Sequence, residues 1–134
     1  PPLSQRIHQA LWLALGSANA LQRGHVWRAF GWMQPMRDVL LEIFAATHNA
    51  KRAFPTFEHH GSTELKAKFG RTLPHYFPDS PANTLYAFRE AFSALLDILQ
   101  YDLDELSNGR GAVGSGEQEL IGRLRARQAL PYSS

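Results

Sequence analysis

The chain has 134 residues, of which 44% are hydrophobic and none is cysteine, and its formal net charge is +2. This length and apolar content fit one domain with a packed core, and they exclude a disordered chain, a disulfide scaffold and a thiolate metal site. The lack of a polybasic tract argues against strong nucleic-acid binding, and the longest apolar runs fall far short of the roughly 18 residues that cross a bilayer.

Helical periodicity dominates the first half of the chain, where strand signals are scarce. It predicts a helix over residues 4–22, which Gly24 ends in the left-handed conformation. A second helix is predicted over residues 25–48, with a kink or break near Pro35 because an interior proline removes a backbone hydrogen bond. Residues 49–61 are predicted to form a connection.

The second half continues the helical pattern. A short helix is predicted over residues 62–70, followed by a loop over residues 71–79. The strongest pattern covers residues 81–106, where Ser80 is the predicted N-cap and leucine and phenylalanine side chains form one long stripe. A last helix over residues 116–129 follows a glycine-rich loop. Together these elements predict an all-α fold, an antiparallel bundle of four to five helices.

Residues 1–134 are predicted to form a single helical domain. The chain begins with Pro1-Pro2 rather than an initiator methionine, so we expect it to be a fragment or the C-terminal part of a longer protein. The lack of cysteine is compatible with a reducing cytoplasm, where we expect the protein to act.

A glycine-rich segment and the histidines are the first candidates for a ligand site, and neither meets the requirements of a known motif. Gly109–Gly114 spells G-x-G-x-x-G, but it follows a predicted helix rather than a strand, so we interpret it as an interhelix loop. The histidines show neither the His-x-x-x-His nor the Glu-x-x-His spacing of a helical metal site, and we interpret them as structural or solvated.

Charged side chains cluster on the second predicted helix and just after it. The cluster contains Arg37, Asp38, Glu42, Lys51 and Arg52, and Glu58 follows it. Asp38 and Glu42 are four residues apart, so their carboxylates share a helix face and repel mildly unless a cation lies there. A neighbouring basic side chain or a cationic ligand can supply that charge; the alternative is a solvated face without a ligand.

One further pattern points to helical ribonucleases of the HEPN group. These enzymes use an arginine followed after four to six residues by a histidine, and six residues separate Arg52 from His59. Ala53 occupies the position where that group usually has a polar residue, and Pro55 is expected to break the helix that must carry both groups. The match is therefore partial.

Several short motifs occur in the order found in a different family. They are Arg23-Gly24, Arg28-Ala29, the run Met36–Ile43, Lys51-Arg52, Phe57-Glu58, Thr72-Leu73-Pro74, and Phe88-Arg89 with Leu95-Leu96 in the long helix. In this order they resemble the helical C-terminal domain of aminoglycoside-type nucleotidyltransferases. The resemblance covers roughly residues 8–106, and the order and spacing of the motifs carry it.

The resemblance implies two domains with different functions, one catalytic and one that binds substrate. In that family an N-terminal catalytic head, with a Gly-Ser motif and paired aspartates, holds magnesium and ATP, and the helical domain helps to bind the substrate. In this chain Gly16-Ser17 lies within a predicted helix, and the one Asp-x-Asp, residues 102–104, lies near the end of another. We therefore expect no catalytic residue in this chain, no cofactor bound by it alone, and no nucleotide transfer without the head.

The same resemblance gives roles to the charged cluster. A cationic, hydroxylated substrate favours carboxylates, for which Asp38, Glu42 and Glu58 are the candidates. Nucleotide phosphates favour basic partners, for which Arg37, Lys51 and Arg52 are the candidates. Trp27 and Trp32 are interpreted either as ring-stacking walls of the site or as anchors in the core.

The resemblance also implies partners. We expect an N-terminal nucleotidyltransferase head, fused or separate, and a small-molecule substrate, with no nucleic acid and no membrane. The surface that the head would cover is expected to be exposed and apolar, which favours a homodimer. Two alternatives stay open: an HEPN-type ribonuclease toxin, and a helical scaffold without a small-molecule site.

Overall fold

The structure, a computed structural model, describes residues 2–111 and 113–128. These residues form seven helices and no strand, which confirms the all-α prediction. The helices are α1 (Leu3–Gln22), α2 (Val26–Ala46), α3 (Ala53–His60), α4 (Thr63–Gly70), α5 (Pro81–Tyr101), α6 (Leu103–Leu106) and α7 (Ser115–Gln128). None of them is long and apolar enough to span a membrane. The predicted end of the last helix at residue 129 lies outside the described residues.

The core lies where α1, α2 and α5 meet. α1 and α2 form the most extensive helix pair, α5 packs against both of them, and α7 lies across α1 and α5. Large side chains from each helix are fully buried there, among them Leu21, Met33, Leu40, Phe92 and Leu99. The apolar stripe predicted for the long helix is thus the face that α5 turns to this core.

The turn between α1 and α2 is built as predicted around Gly24. Its φ of 73° lies in the left-handed region, which a residue without a Cβ adopts at little cost. The amide of Gly24 donates to the Leu21 carbonyl at 3.0 Å, and the amide of His25 donates to the Ala20 carbonyl at 2.9 Å. This is a Schellman motif, and it sets the end of α1 directly beside the start of α2.

Close approach of α1 and α2 depends on Gly16. A Cβ built at Gly16 would lie 2.5 Å from Cε3 of the Trp32 indole, far inside van der Waals contact. The half-buried Trp32 ring packs against the core in the space that the missing side chain leaves. Glycine at this position therefore allows a tryptophan of α2 to lie flat against the backbone of α1.

Of the kink or break expected near Pro35, the break is absent. α2 runs without interruption from Val26 to Ala46, with Pro35 in its interior. The carbonyl that a proline releases belongs to the residue four positions earlier, here Gly31, which is exposed. Water can satisfy that carbonyl, and buried side chains on both sides of the proline, such as Met33 and Leu40, hold the helix to the core.

Two further boundaries differ from the predictions. Residues 53–60, expected to be part of a connection, form α3, whose Pro55 lies in the first turn, where a missing amide leaves no intrahelical bond unmade. The long helix ends at Tyr101 rather than at residue 106, and α6 follows after Asp102. The Asp102 carboxylate accepts a hydrogen bond from Lys68 Nζ at 2.6 Å, which ties this break to α4.

Candidate functional site

Arg37, the first of the predicted phosphate ligands, is buried in the middle of α2, with 7% of its surface exposed. Its Nε donates to Thr72 Oγ1 at 2.8 Å, its Nη2 donates to the Thr72 carbonyl at 2.6 Å, and its Nη1 donates to Gln34 Oε1. Burial lowers the pKa of the guanidinium from its usual value, and the nearby Asp38 opposes that change. All three of these contacts are internal, so Arg37 connects parts of the fold.

Thr72, the partner of Arg37, is a buried residue of the loop between α4 and α5. Thr72 is fully buried, and its hydroxyl also donates to the Phe69 carbonyl at 2.6 Å. Arg37 therefore fastens this loop to α2 across 35 residues of sequence. The sequence pattern did not reveal the pairing, because no local spacing relates a helix interior to a distant loop.

Asp38 and Glu42 lie on the exposed side of α2, as their spacing predicted. Neither carboxylate forms an ion pair with any residue that the structure describes. Two arginines near this part of α2 bond other atoms: Arg37 donates to Thr72 and Gln34, and Arg6 Nη1 donates to the main-chain carbonyl of Glu42 at 3.4 Å. The acidic pair, Asp38 and Glu42, thus presents two solvated negative charges one helical turn apart.

The other predicted site residues lie elsewhere. Lys51 and Arg52 are exposed in the turn between α2 and α3, and Glu58 is exposed on α3. Arg37 is buried and bonded to other parts of the fold, whereas Lys51 and Arg52 are in solvent, so the three predicted phosphate ligands do not form one exposed site. The main-chain carbonyl of Glu58 accepts a hydrogen bond from Lys66 at 2.7 Å, while its carboxylate stays in solvent.

The helix α3 forms where the ribonuclease hypothesis expected Pro55 to break a helix. Pro55 does not break the helix, which continues to His60. Arg52 is its N-cap residue and His59 lies near its end, both exposed. Seven residues make nearly two turns, so these two positions lie on one side of α3, although Ala53 still departs from the pattern.

Three of the histidines, His48, His59 and His60, lie close together just after α2 and at the end of α3. The rings of His48 and His60 stack with centroids 4.6 Å apart, and His59 is next to His60. In the part of the chain that the structure describes, no group of three histidine, aspartate or glutamate side chains is arranged to hold a metal ion. The chemistry of this corner is therefore ring stacking on an exposed surface.

A basic cavity that the sequence reasoning missed lies at the α1–α2 turn, next to α7. Its volume is about 410 Å³, and its lining includes Arg23, His25, Arg28, Trp32 and Arg127. None of the described residues that line it is acidic. Arg23 and Arg28 lie on either side of Gly24 in the sequence, and this spacing is the one local signal of the cavity. Arg127 lies near the other end of the chain, and α7 places it beside them.

The two tryptophans have different environments. Trp32 is half-buried, packs against the core and lines the basic cavity. Trp27 is 67% exposed, and its ring centroid lies 5.5 Å from that of Tyr76 in a tilted arrangement. The core-anchor interpretation therefore holds for Trp32 and fails for Trp27.

Comparison with protein-family models, with curated proteins and with solved structures finds no match for this chain. The relationship to nucleotidyltransferases thus stays a prediction from sequence motifs. The arrangement itself offers two kinds of chemistry: carboxylates that attract ammonium groups on the exposed face of α2, and guanidinium groups that attract phosphates in the basic cavity.

Proposed function

We propose that the chain is the helical substrate-binding domain of a nucleotidyltransferase-like protein of the aminoglycoside type. In this function the acidic pair on α2 binds a hydroxylated substrate through its ammonium groups. A nucleotidyltransferase head, fused or separate, performs the transfer with magnesium and ATP in the cytoplasm. This chain contributes binding and orientation rather than a catalytic residue.

The exposed acidic pair is the observation that carries the proposal. Asp38 and Glu42 lie one turn apart, with Cβ atoms about 5–6 Å from each other at this spacing. Like charges at that distance repel each other, and a polycation that lies between them removes this repulsion. A substrate with several ammonium groups supplies that charge.

The anchoring of α2 supports a rigid site. Arg37 immediately precedes Asp38 and is locked to Thr72 by two hydrogen bonds. A helix held at this position cannot rotate about its axis, so Asp38 and Glu42 keep a constant direction toward solvent. Binding a cation there requires little ordering of the backbone.

Calorimetric titration of the purified chain with kanamycin tests the proposal. We expect binding that weakens by about tenfold in the Asp38→Asn/Glu42→Gln double variant, since each exposed ion pair contributes up to roughly 1 kcal/mol. Trehalose, which has hydroxyl groups but no amines, serves as the neutral comparison and should not bind measurably.

A matched variant separates the site from bulk charge. Asp79→Asn/Glu90→Gln removes two exposed carboxylates from the loop before α5 and from α5 itself. It should leave kanamycin affinity unchanged within twofold. Equal weakening by both double variants, or no kanamycin binding at all, contradicts the proposed site.

A ribonuclease is the second candidate, and the unbroken α3 favours it. Arg52 and His59 lie on one side of that helix, as a cooperating pair must. Incubation with single-stranded RNA distinguishes the two functions. Cleavage that is lost in both Arg52→Ala and His59→Ala supports the ribonuclease, and intact RNA excludes it.

A further inference from the structure

We propose that the basic cavity between α1, α2 and α7 binds the polyphosphate group of a small ligand. This inference goes beyond the function proposed above, because it concerns an anionic ligand and a different set of side chains. It depends on the geometry of the cavity and stands whether or not the acidic pair binds a cation.

The charge of the lining is the first argument. Arg23, Arg28 and Arg127 each contribute a permanent positive charge, and His25 lies among them. Within the described residues none of these three guanidinium groups forms an ion pair, and no carboxylate lines the cavity. Three unpaired cations around one concavity repel each other, and an anion that they share removes that repulsion.

The start of α2 strengthens the positive field. α2 has 21 residues, and its N-cap residue His25 makes no side-chain hydrogen bond to the first amides of the helix. The partial positive charge of a long helix is concentrated at these free amides. His25 and Arg28, which flank this end of the helix, both line the cavity, so the helix end and the arginines act on the same space.

Two structural features hold the cavity in shape. The Schellman motif at Gly24 sets Arg23 and Arg28 on the two sides of one tight turn. Arg127 of α7 donates a hydrogen bond to the Asn19 side chain of α1, which directs its guanidinium to the same region. The fold therefore fixes the backbone at Arg23 and Arg28 and the guanidinium of Arg127, and forked guanidinium groups match phosphate oxygens.

The volume and wall point to a ligand larger than a single phosphate. A cavity of about 410 Å³ falls within the range of small-molecule sites. The half-buried Trp32 contributes an aromatic surface beside the arginines. Free polyphosphate and the polyphosphate of a nucleotide share the chemistry that the arginines recognise, and a nucleotide adds a base for the aromatic surface.

Calorimetric titration of the full chain with ATP and, separately, with inorganic tripolyphosphate at fixed salt tests the inference. The Arg23→Gln/Arg28→Gln variant should weaken binding of both ligands by about tenfold, because each lost guanidinium removes a charge-assisted hydrogen bond. Both side chains are exposed, so the variant should fold like the parent chain. Thermal melting by circular dichroism checks this.

The matched control is Arg71→Gln/Arg110→Gln, which removes the same charge from two exposed arginines that do not line the cavity. It should leave both affinities unchanged within twofold.

Tighter binding of ATP than of tripolyphosphate identifies a nucleotide as the source of the group, and equal binding identifies a free polyphosphate. Either result supports the inference. No binding of either ligand, or equal weakening by the two double variants, overturns it. Kanamycin binding in the same preparation reports separately on the acidic pair.

Discussion

Arg37 and Thr72, 35 residues apart in sequence, are joined by two hydrogen bonds of 2.8 and 2.6 Å. The first reaches the threonine hydroxyl and the second its carbonyl, so one guanidinium donates to both oxygens of a fully buried residue. The charge that sequence reasoning placed in a binding site is thus used to connect α2 with the loop after α4. The carboxylates of Asp38 and Glu42, which follow Arg37 on α2, lie instead on the exposed side of the helix.

Substitution of Arg37 tests this connecting role. Arg37→Met removes the donors and leaves the Thr72 carbonyl without a partner in the interior, which should lower the free energy of unfolding by about 1–3 kcal/mol. The control is Arg71→Met, an exposed arginine next to the same threonine, for which a change within about 0.5 kcal/mol is expected. Urea denaturation measures both. Equal stability of the two variants would show that the internal hydrogen bonds are not needed.

Two glycines should respond to alanine in opposite directions. Gly16→Ala places a methyl group against the Trp32 ring and should destabilise the protein by about 1–3 kcal/mol through overpacking. Gly31→Ala meets no atom within 4 Å in the interior of α2, so it should stabilise the protein by about 0.5–1 kcal/mol through better helix propensity. Melting temperatures of the two variants provide the comparison. A shift of the same sign in both would contradict the packing described for α1 and α2.

The ion pair between Lys68 and Asp102 predicts a pH dependence at high pH. The hydrogen bond to Asp102 raises the pKa of the Lys68 ammonium above its ordinary value of 10.5. Because the folded state then holds its proton more tightly than the unfolded state, the contribution is complete below pH 10.5 and is lost as the pH rises through the folded pKa. Stability should therefore fall less steeply above that pH in Lys68→Met than in the parent chain.

The control for this prediction is Lys51→Met, an exposed lysine that forms no ion pair within the described residues. Its pH profile should follow that of the parent chain. Urea midpoints measured from pH 8 to pH 11 give the three slopes. Identical slopes for Lys68→Met and the parent chain would mean that the pair does not contribute to folding.

The acidic pair should oppose stability and favour binding at once. Glu42→Gln removes the repulsion with Asp38 but keeps the attraction between Asp38 and the buried Arg37, so it should raise the free energy of unfolding by about 0.2–0.5 kcal/mol in the absence of ligand. The same variant should weaken kanamycin binding. A loss of stability in Glu42→Gln would indicate instead that the carboxylate is engaged within the fold.

The helical pattern predicted most of the fold because its signals are local. The caps Ser62 and Ser80 accept hydrogen bonds from the amides three residues further along the chain, and Gly24 with its positive φ follows the end of the first helix as expected. The structure differs from the pattern at two prolines, since α2 has no break and residues 53–60 form a helix. α2 continues through Pro35 because its buried face holds it, and α3 forms because Pro55 falls in the first turn.

The candidate site was less predictable, for a physical reason. Spacing correctly put Asp38 and Glu42 on one exposed face, which is a property of a single helix. The burial of Arg37 and the convergence of Arg127 with Arg23 depend on contacts between distant parts of the chain, and no local pattern encodes them. Pairing across more than 30 residues becomes visible only in the folded structure.

The most direct test of the substrate-binding proposal is an NMR titration of the ¹⁵N-labelled chain with kanamycin. We predict amide shift changes concentrated at and around Asp38 and Glu42 on α2, and their disappearance in the Asp38→Asn/Glu42→Gln variant. Shift changes that are absent, that cluster on other helices, or that persist unchanged in the variant would contradict the account.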